Sequence, residues 1–272
     1  MDNPKPLVSI CCVTYNHKEY IRECLDGFLM QKTNFPFEIL IHDDASTDGT
    51  IDILKEYQAK YPDIVKPYIE VENCFSQGKP FTVSNYSRVQ GKYIALCDGD
   101  DYWIDPQKLQ KQVDFLEAHP KFSAYFHKVK TFTQATGEWG EHNPPRILAR
   151  KSNGFVFGLF YYTIFGWFTR TSSCVYRTDI MRYITSIPFG DWRDFISFYL
   201  MLEKGKAFYD CTAMSVYRIQ SGGICSGTDT VKRLKYDSNL WHKLWKYNHS
   251  IWSWLNWMKC LYQLHKYKKL AN

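Results

Sequence analysis

No two cysteines in this 272-residue chain are spaced C-x-x-C. The nine present, Cys11, Cys12, Cys24, Cys74, Cys97, Cys174, Cys211, Cys225 and Cys260, are odd in number and scattered. That pattern suggests neither a structural zinc site nor a disulfide framework, and reduced thiols in a cytosolic setting are expected. Phosphate-binding glycine loops are missing too: neither G-x-x-x-x-G-K-[ST] nor G-x-G-x-x-G occurs, which excludes a P-loop and the dinucleotide fingerprint. The opening MDNPKPLVSICC lacks the basic start and apolar core of a signal peptide. The longest uncharged apolar run, Phe155 to Phe168, is fourteen residues and too short to span a bilayer as a helix.

Aromatic residues, by contrast, are plentiful at 17%, and charged residues at 23% are near ordinary usage, so long disorder is not expected. The net charge of +6 is unevenly placed. Residues 230 to 272 hold nine Lys/Arg against one acid, Asp237, while the remaining residues hold 25 Lys/Arg against 27 Asp/Glu. The basicity belongs to the tail.

Leu7 to Val13 is apolar and β-branched and predicts a first strand, broken by Thr14-Tyr15-Asn16. Tyr20, Ile21, Cys24, Leu25, Phe28 and Leu29 follow at helical spacing. Phe37 to Ile41 predicts a second strand ending in His42-Asp43-Asp44, and Ser46 to Thr50 supplies a helix start with Asp48 as N-cap. Val65 to Val71 and Lys92 to Cys97 predict further strands, and Asp105-Pro106 a helix start with Pro at its first position. Alternating strands and helices over the first 120 residues indicate an α/β fold, a Rossmann-like and mostly parallel central sheet flanked by helices. Ligands of such sheets bind outside the carboxyl ends of the strands. The clusters Thr14–Asn16, Asp43–Asp44 and Asp98–Asp101 all fall at predicted strand ends and should converge on one edge.

Asp98 and Asp100, two apart at a strand end, can both face a divalent cation. Mg²⁺ and Mn²⁺ are commonly held by one or two carboxylates together with substrate phosphates. The plainer reading is a solvated turn ahead of the helix at Pro106. An EF-hand is excluded, because Trp103 stands where the loop needs Gly and Leu109 where it needs Glu.

Taken together and in order, VSICCVTYNHKEYI (Val8–Ile21), EILIHDDASTDGT (Glu38–Thr50) and YIALCDGDDYW (Tyr93–Trp103) closely resemble the nucleotide-binding half of family 2 glycosyltransferases, which have the GT-A fold. The resemblance continues through FGDWRDF (Phe189–Phe195) and SVYRIQSGG (Ser215–Gly223) and covers about residues 7 to 225. It implies a catalytic domain over residues 1–225, with the nucleotide-sugar half at about 1–120 and the acceptor half at about 121–225, followed by a helical extension at 226–272. Phe155 to Ser173 is then either core or the wall of the acceptor pocket.

By the same resemblance, Thr14, Tyr15 and Asn16 border the nucleotide base and Asp43 accepts hydrogen bonds from base or ribose. Asp44 reads better as a cap of the following helix. Asp98 faces ribose or metal, Gly99 belongs to the same nucleotide-sugar site, and Asp100 binds the metal, Mn²⁺ or Mg²⁺. Asp101 is structural. Asp191 takes the position of the catalytic base, with Asp194 the runner-up and helix capping the plain alternative. Relatives often carry Tyr-Arg-x-His where this chain has Tyr217-Arg218-Ile219-Gln220. Arg218 is thus expected at the diphosphate, and Gln220 offers the metal an amide oxygen in place of imidazole.

The implied activity is inverting, metal-dependent transfer of a sugar from a nucleotide-sugar donor, UDP-sugar foremost, to a glycan or lipid-linked glycan acceptor in bacterial polysaccharide biosynthesis. Two rivals stay open: a nucleotide-sugar-binding scaffold with impaired catalysis, and a sugar-nucleotide pyrophosphorylase, although Val13–Asn16 lacks the latter's glycine-rich loop. The tail from Val231 reads as helix, rich in Trp and Lys. It suits peripheral contact with an anionic membrane at the cytosolic face of the inner membrane, or else packing on the domain. Nucleic acid is not an expected partner.

Overall fold

Val8, Ile10 and Cys12 contribute to one core layer and Cys11 to another, and all four are buried. A strand apolar on both faces belongs in the middle of a parallel sheet covered by helices on each side. The computed structural model describes residues 5–79, 85–149, 153–188, 193–220 and 230–271 and bears this out. In chain order the elements are β1 (Val8–Thr14), α1 (Ile21–Leu29), β2 (Phe37–Asp43), α2 (Thr50–Lys60), β3 (Val65–Ile69), β4 (Tyr93–Asp98), β5 (Tyr102–Trp103), α3 (Lys108–Ala118), β6 (Phe122–Thr133), β7 (Glu138–His142), α4 (Arg146–Ala149), β8 (Gly154–Phe157), α5 (Leu159–Phe165), a 3₁₀ turn (Thr171–Ser173), β9 (Val175–Arg177), α6 (Thr178–Ser186), α7 (Asp194–Lys204), β10 (Lys206–Ile219), α8 (Thr230–Asn248) and α9 (Ile251–Ala271).

The sheet runs β3-β2-β1-β4-β9-β6-β10-β5, with β7 on β6 and β8 on β10. Its first four strands are parallel. Beyond β4 it is mixed: β9 is antiparallel to both neighbours, β6 and β10 are parallel, and β5, β7 and β8 pair antiparallel. The apolar residues of α1, α2 and α3 join one buried cluster with Ile39, Ile41, Tyr93 and Ala95. Leu40, Ile94 and Leu96 belong to the other cluster, with α6, α7 and α8. Period-two alternation along β2 and β4 divides the residues between these layers.

Two helix starts differ from expectation. Asp105 Oδ1 accepts the Gln107 N–H at 2.8 Å, and the helix begins only at Lys108, so Asp105-Pro106 forms a turn ahead of α3. Asp48 Oδ1 accepts from Thr50 N–H and Oγ1–H, but Gly49, with φ of 102°, occupies the N-cap of α2.

The basic tail forms two helices that break at His249, whose φ is 49°. Trp241 is 4% exposed, with its ring 5.0 Å from Tyr199 and 5.5 Å from Phe195 on α7. His242 and Trp245 of α8 stack on Trp257 of α9 at 4.2 and 5.5 Å. The corner is pinned where Tyr199 Oη–H donates to Ser250 Oγ and Asn248 Nδ2 to Glu203 Oε1. Much of the tail's aromatic surface is therefore spent on packing. Among the described residues no helix is long and apolar enough to cross a membrane.

Candidate functional site

The parallel registers Thr14↔Asp43 and Val13↔Asp98 bring the ends of β1, β2 and β4 side by side. Two chain reversals follow at once, with Asn16 at φ 53° and Ala45 at φ 63°. Asparagine tolerates this left-handed region well; alanine is rarer there and must be held. It is held by a clasp between the two loops. Ser46 donates its N–H and Oγ–H to Asp43 Oδ1 and Oδ2 at 2.8 and 2.6 Å, Asn16 N–H donates to Ser46 Oγ at 2.8 Å, and Thr47 N–H donates to Asn16 Oδ1 at 2.8 Å. Burial raises the pKa of Asp43, and the Ser46 hydrogen bonds oppose that rise. Asp43 thus braces the loops around the expected base site, while Tyr15 stands 44% exposed at its rim.

Asp44 does not cap α2. Its Oδ1 and Oδ2 accept the backbone N–H groups of Cys74 and Phe75 at 2.7 and 3.1 Å, and its own carbonyl accepts from Asn73 Nδ2. The carboxylate turns away from the helix start because a second loop, distant in sequence, presents two backbone donors to it.

Gly99 is required by crowding. A Cβ there would lie 2.8 Å from both Cβ and Oγ1 of Thr14 and 3.1 Å from His17 Nδ1. Its N–H donates to Val13 O at 2.8 Å, and Asp101 N–H to Asp98 O at 3.0 Å, which closes the D-G-D-D turn. Asp100 Oδ2 accepts from Gln220 Nε2 at 2.7 Å and lies 4.0 Å from His17 Nε2. Asp101 is 2% exposed, and its Oδ1 accepts the Arg218 N–H at 2.9 Å, a wholly internal placement.

Arg218, expected at a diphosphate, is placed otherwise. Its Nε donates to Asp100 O at 3.0 Å, Nη1 to Gln134 Oε1 at 3.0 Å and Nη2 to Glu23 Oε2, and the group is 7% exposed among the rings of Tyr20 and Tyr102. These partners come from α1 and the β6–β7 turn, far away in sequence. Here the guanidinium locks β10 to the D-G-D-D turn.

Asp191 lies outside the described residues. Asp194, the runner-up, is the first residue of α7, and its Oδ2 accepts Thr171 Oγ1–H at 2.8 Å. With Asp98, Val13, Asn85, Tyr86 and Thr171 it lines a small cleft of about 50 Å³. Asp98 is pushed well above the ordinary carboxylate range by burial and then by the charge of Asp194, ahead of Asp100 and Asp101. The Asp194 side chain itself is exposed, and the Thr171 hydrogen bond and the charges of Arg170 and Arg193 favour its ionised form. A half-buried carboxyl group whose ionisation a second carboxylate opposes is one that a cation beside it would favour in its charged form.

A model of the family described as "Glycosyl transferase family 2" matches residues 9–185, more than half of the chain. The chain belongs to that family. It is 29% identical over 238 residues to the Escherichia coli protein named UDP-Glc:alpha-D-GlcNAc-diphosphoundecaprenol beta-1,3-glucosyltransferase WfaP, covering 86% of this chain and 85% of that one. It is 44% identical over 137 residues to a Mycobacterium tuberculosis protein, but spans only 39% of that protein's length. Among solved structures, Staphylococcus aureus TarS 1-349 in complex with UDP-GlcNAc matches with a TM-score of 0.65 at 20% identity, over 88% of this chain and 66% of that one. The mannosyltransferase PcManGT from Pyrobaculum calidifontis, in complex with GDP-Man and Mn²⁺, matches with 0.62 at 18%, over 96% and 70%. At such identity these likenesses establish the fold, which is GT-A.

In this family 2 chain the residues fit a divalent cation. Asp98 and Asp100 lie at the end of β4 beside Gln220, and the buried Thr14 Oγ1 and His17 Nδ1 have no partner among the described residues. Among those residues no three His, Cys, Asp or Glu side chains group closely enough to hold a metal ion by themselves.

Sequence reasoning missed His17, Thr171 and Arg170. His17 returns over Gly99 only because Asn16 adopts the left-handed turn, which no motif announces. The Arg170 guanidinium lies 4.5 Å from the Tyr217 ring centroid, with its Nε buried and unpaired among the described residues, and its charge acts on both Asp101 and Asp194.

Proposed function

We propose that this chain is an inverting, metal-dependent glycosyltransferase that moves a sugar from a nucleotide-sugar donor, UDP-sugar foremost, to a glycan or lipid-linked glycan acceptor. The observation that carries the reading is a cleft lined both by Asp98 from the sheet edge and by Asp194 from α7. The donors named with the solved neighbours, UDP-GlcNAc and GDP-Man, and the diphosphoundecaprenol in the name of the Escherichia coli relative support the substrate classes.

The nucleoside would lie along Thr14, Tyr15 and Asn16, over the loops that Asp43 braces. Asp98 and Asp100 would hold Mn²⁺ or Mg²⁺, which would supply Lewis-acid neutralisation of the departing diphosphate. Gln220, expected as a ligand through its amide oxygen, instead positions Asp100 by donating Nε2–H to Oδ2. Arg170 is a cation near the cleft that keeps an unpaired buried donor among the described residues, and it is the better candidate for phosphate charge than Arg218. Arg218 serves by fixing the backbone of Asp100.

Asp194 takes the proton of the acceptor hydroxyl as its oxygen bonds to the anomeric carbon, and the bond from that carbon to the diphosphate oxygen breaks on the opposite face. Its exposed carboxylate on the cleft lining is within reach of an acceptor hydroxyl, which a general base needs. Asp191 remains the alternative base from the family resemblance. Reversible attachment to the cytosolic face of an anionic membrane completes the reading, since that is where a lipid-linked acceptor is found.

The test is a screen of UDP-, GDP- and dTDP-sugars for nucleotide release by the purified chain, with Mn²⁺ and with EDTA. Metal-dependent release from one donor class supports an enzyme. Tight binding of that donor without any turnover would leave only the impaired scaffold.

A further inference from the structure

We infer that the outer face of α5 docks on an anionic lipid bilayer, an inference that rests on the proposed lipid-linked acceptor. The helix is LFYYTIF. Tyr162 and Thr163 turn inward, while Phe160 and Ile164 are 53% and 50% exposed and Tyr161 and Phe165 flank them. Positions i, i+1, i+4 and i+5 form one face, so this surface helix is apolar toward the outside. Tyr161 and Phe165 stack with ring planes 9° apart and centroids 6.3 Å apart, which makes the face broad and flat. An apolar surface of this kind marks an interaction site.

What it meets is argued by the helix beside it. α5 runs along α9: Phe160 touches Trp252, Asn256 Nδ2 donates to Thr163 Oγ1, and Lys259 Nζ donates to the carbonyls of Thr163 and Ile164 at 3.1 and 3.0 Å. α9 continues past this contact with Tyr262, 70% exposed, and Lys266, also exposed. The tail holds nine basic residues against one acid, beside a nearly neutral body. A second copy of the chain would bring like charge to such a face, whereas anionic headgroups complement it. The docked surface is tied to the chemistry as well. Tyr162 Oη–H donates to Phe195 O at 2.6 Å, which fixes α5 to the residue after Asp194. The bilayer would thereby lie on the side of the molecule where α5 meets α7.

The test is sedimentation of the full chain with phosphatidylcholine vesicles containing phosphatidylglycerol, against pure phosphatidylcholine vesicles at the same low salt. Wild type should pellet with the anionic vesicles and be released by high salt. The double variant Phe160→Asp with Ile164→Asp should lose on the order of thirtyfold in vesicle affinity, from two half-exposed side chains that no longer insert. Its fold, read by circular dichroism, and its UDP binding should be kept. Vesicle binding by the variant equal to wild type would overturn the assignment to α5. Failure of wild type to bind anionic vesicles, or a dimer in light scattering that the variant abolishes, would overturn bilayer docking altogether. Metal-dependent turnover of a nucleotide sugar is measured separately, so a glycosyltransferase that ignores vesicles refutes this inference alone.

Discussion

Replacing Asp194 by Asn is the perturbation that bears most closely on the chemistry. Asparagine keeps the shape and an oxygen that can accept Thr171 Oγ1–H, so α7 should keep its start. What is lost is the ability to take a proton. General-base catalysis is worth roughly 10²–10⁴-fold, so kcat should fall by about that factor, or about 3–5 kcal/mol in barrier. Donor affinity should hold or rise slightly, because one of the charges that oppose the ionisation of Asp98 is gone. The assay is steady-state nucleotide release across pH. In wild type the acid limb should follow the ionisation of Asp194, since the base works only when deprotonated; in the variant that limb should vanish. Asp191→Asn is the control. If Asp194→Asn keeps activity within a few-fold and Asp191→Asn abolishes it, the cleft has been assigned the wrong base.

Gly99→Ala places a methyl 2.8 Å from Thr14 and should weaken nucleotide-sugar binding while costing about 1–3 kcal/mol of stability, measured by calorimetry and urea unfolding. Trp241→Ala should cost about 3–5 kcal/mol and lower activity by loosening α7; unchanged stability would show that the tail is not part of the folded core. Lys108 is fully buried, with Nζ 3.8 Å from the Trp103 ring centroid and 2.8 Å from Gln112 Oε1, and burial pushes it down from 10.5 to about 7. Between those pH values the unfolded chain binds the proton and the native one does not. Within that window the group therefore makes stability rise with pH, at a slope of at most about 1.4 kcal/mol for each pH step of one. Lys108→Met should remove that rise in urea-unfolding free energies taken at neutral and at alkaline pH.

The sheet edge was legible because its signals are local. An apolar run ending in Asp98, or in Thr14, marks a strand and its polar end, and parallel strands in register carry those ends to one place. The D-G-D turn was legible for the same reason. Residues whose roles depend on distant partners were not. Asp44 turns to the amides of Cys74 and Phe75, and Arg218 to Glu23 and Gln134; no spacing rule reports either encounter. The tail's composition suited a membrane surface and a buried interface equally well. Trp241 takes the interface, against Phe195 and Tyr199, while the exposed apolar face lies on α5, within a run that reads as core or as the wall of an acceptor pocket.

The central claim is that the D-G-D edge binds a nucleoside diphosphate through a divalent cation. Calorimetric titration of UDP into wild type and Asp100→Ala, each with Mn²⁺ and with EDTA, tests it most directly. Wild type should bind UDP at least about tenfold more tightly with Mn²⁺, a difference of about 1.4 kcal/mol, and Asp100→Ala should bind equally weakly in both. Equal affinity in EDTA and Mn²⁺ for wild type, or an undiminished metal effect in Asp100→Ala, would contradict the account.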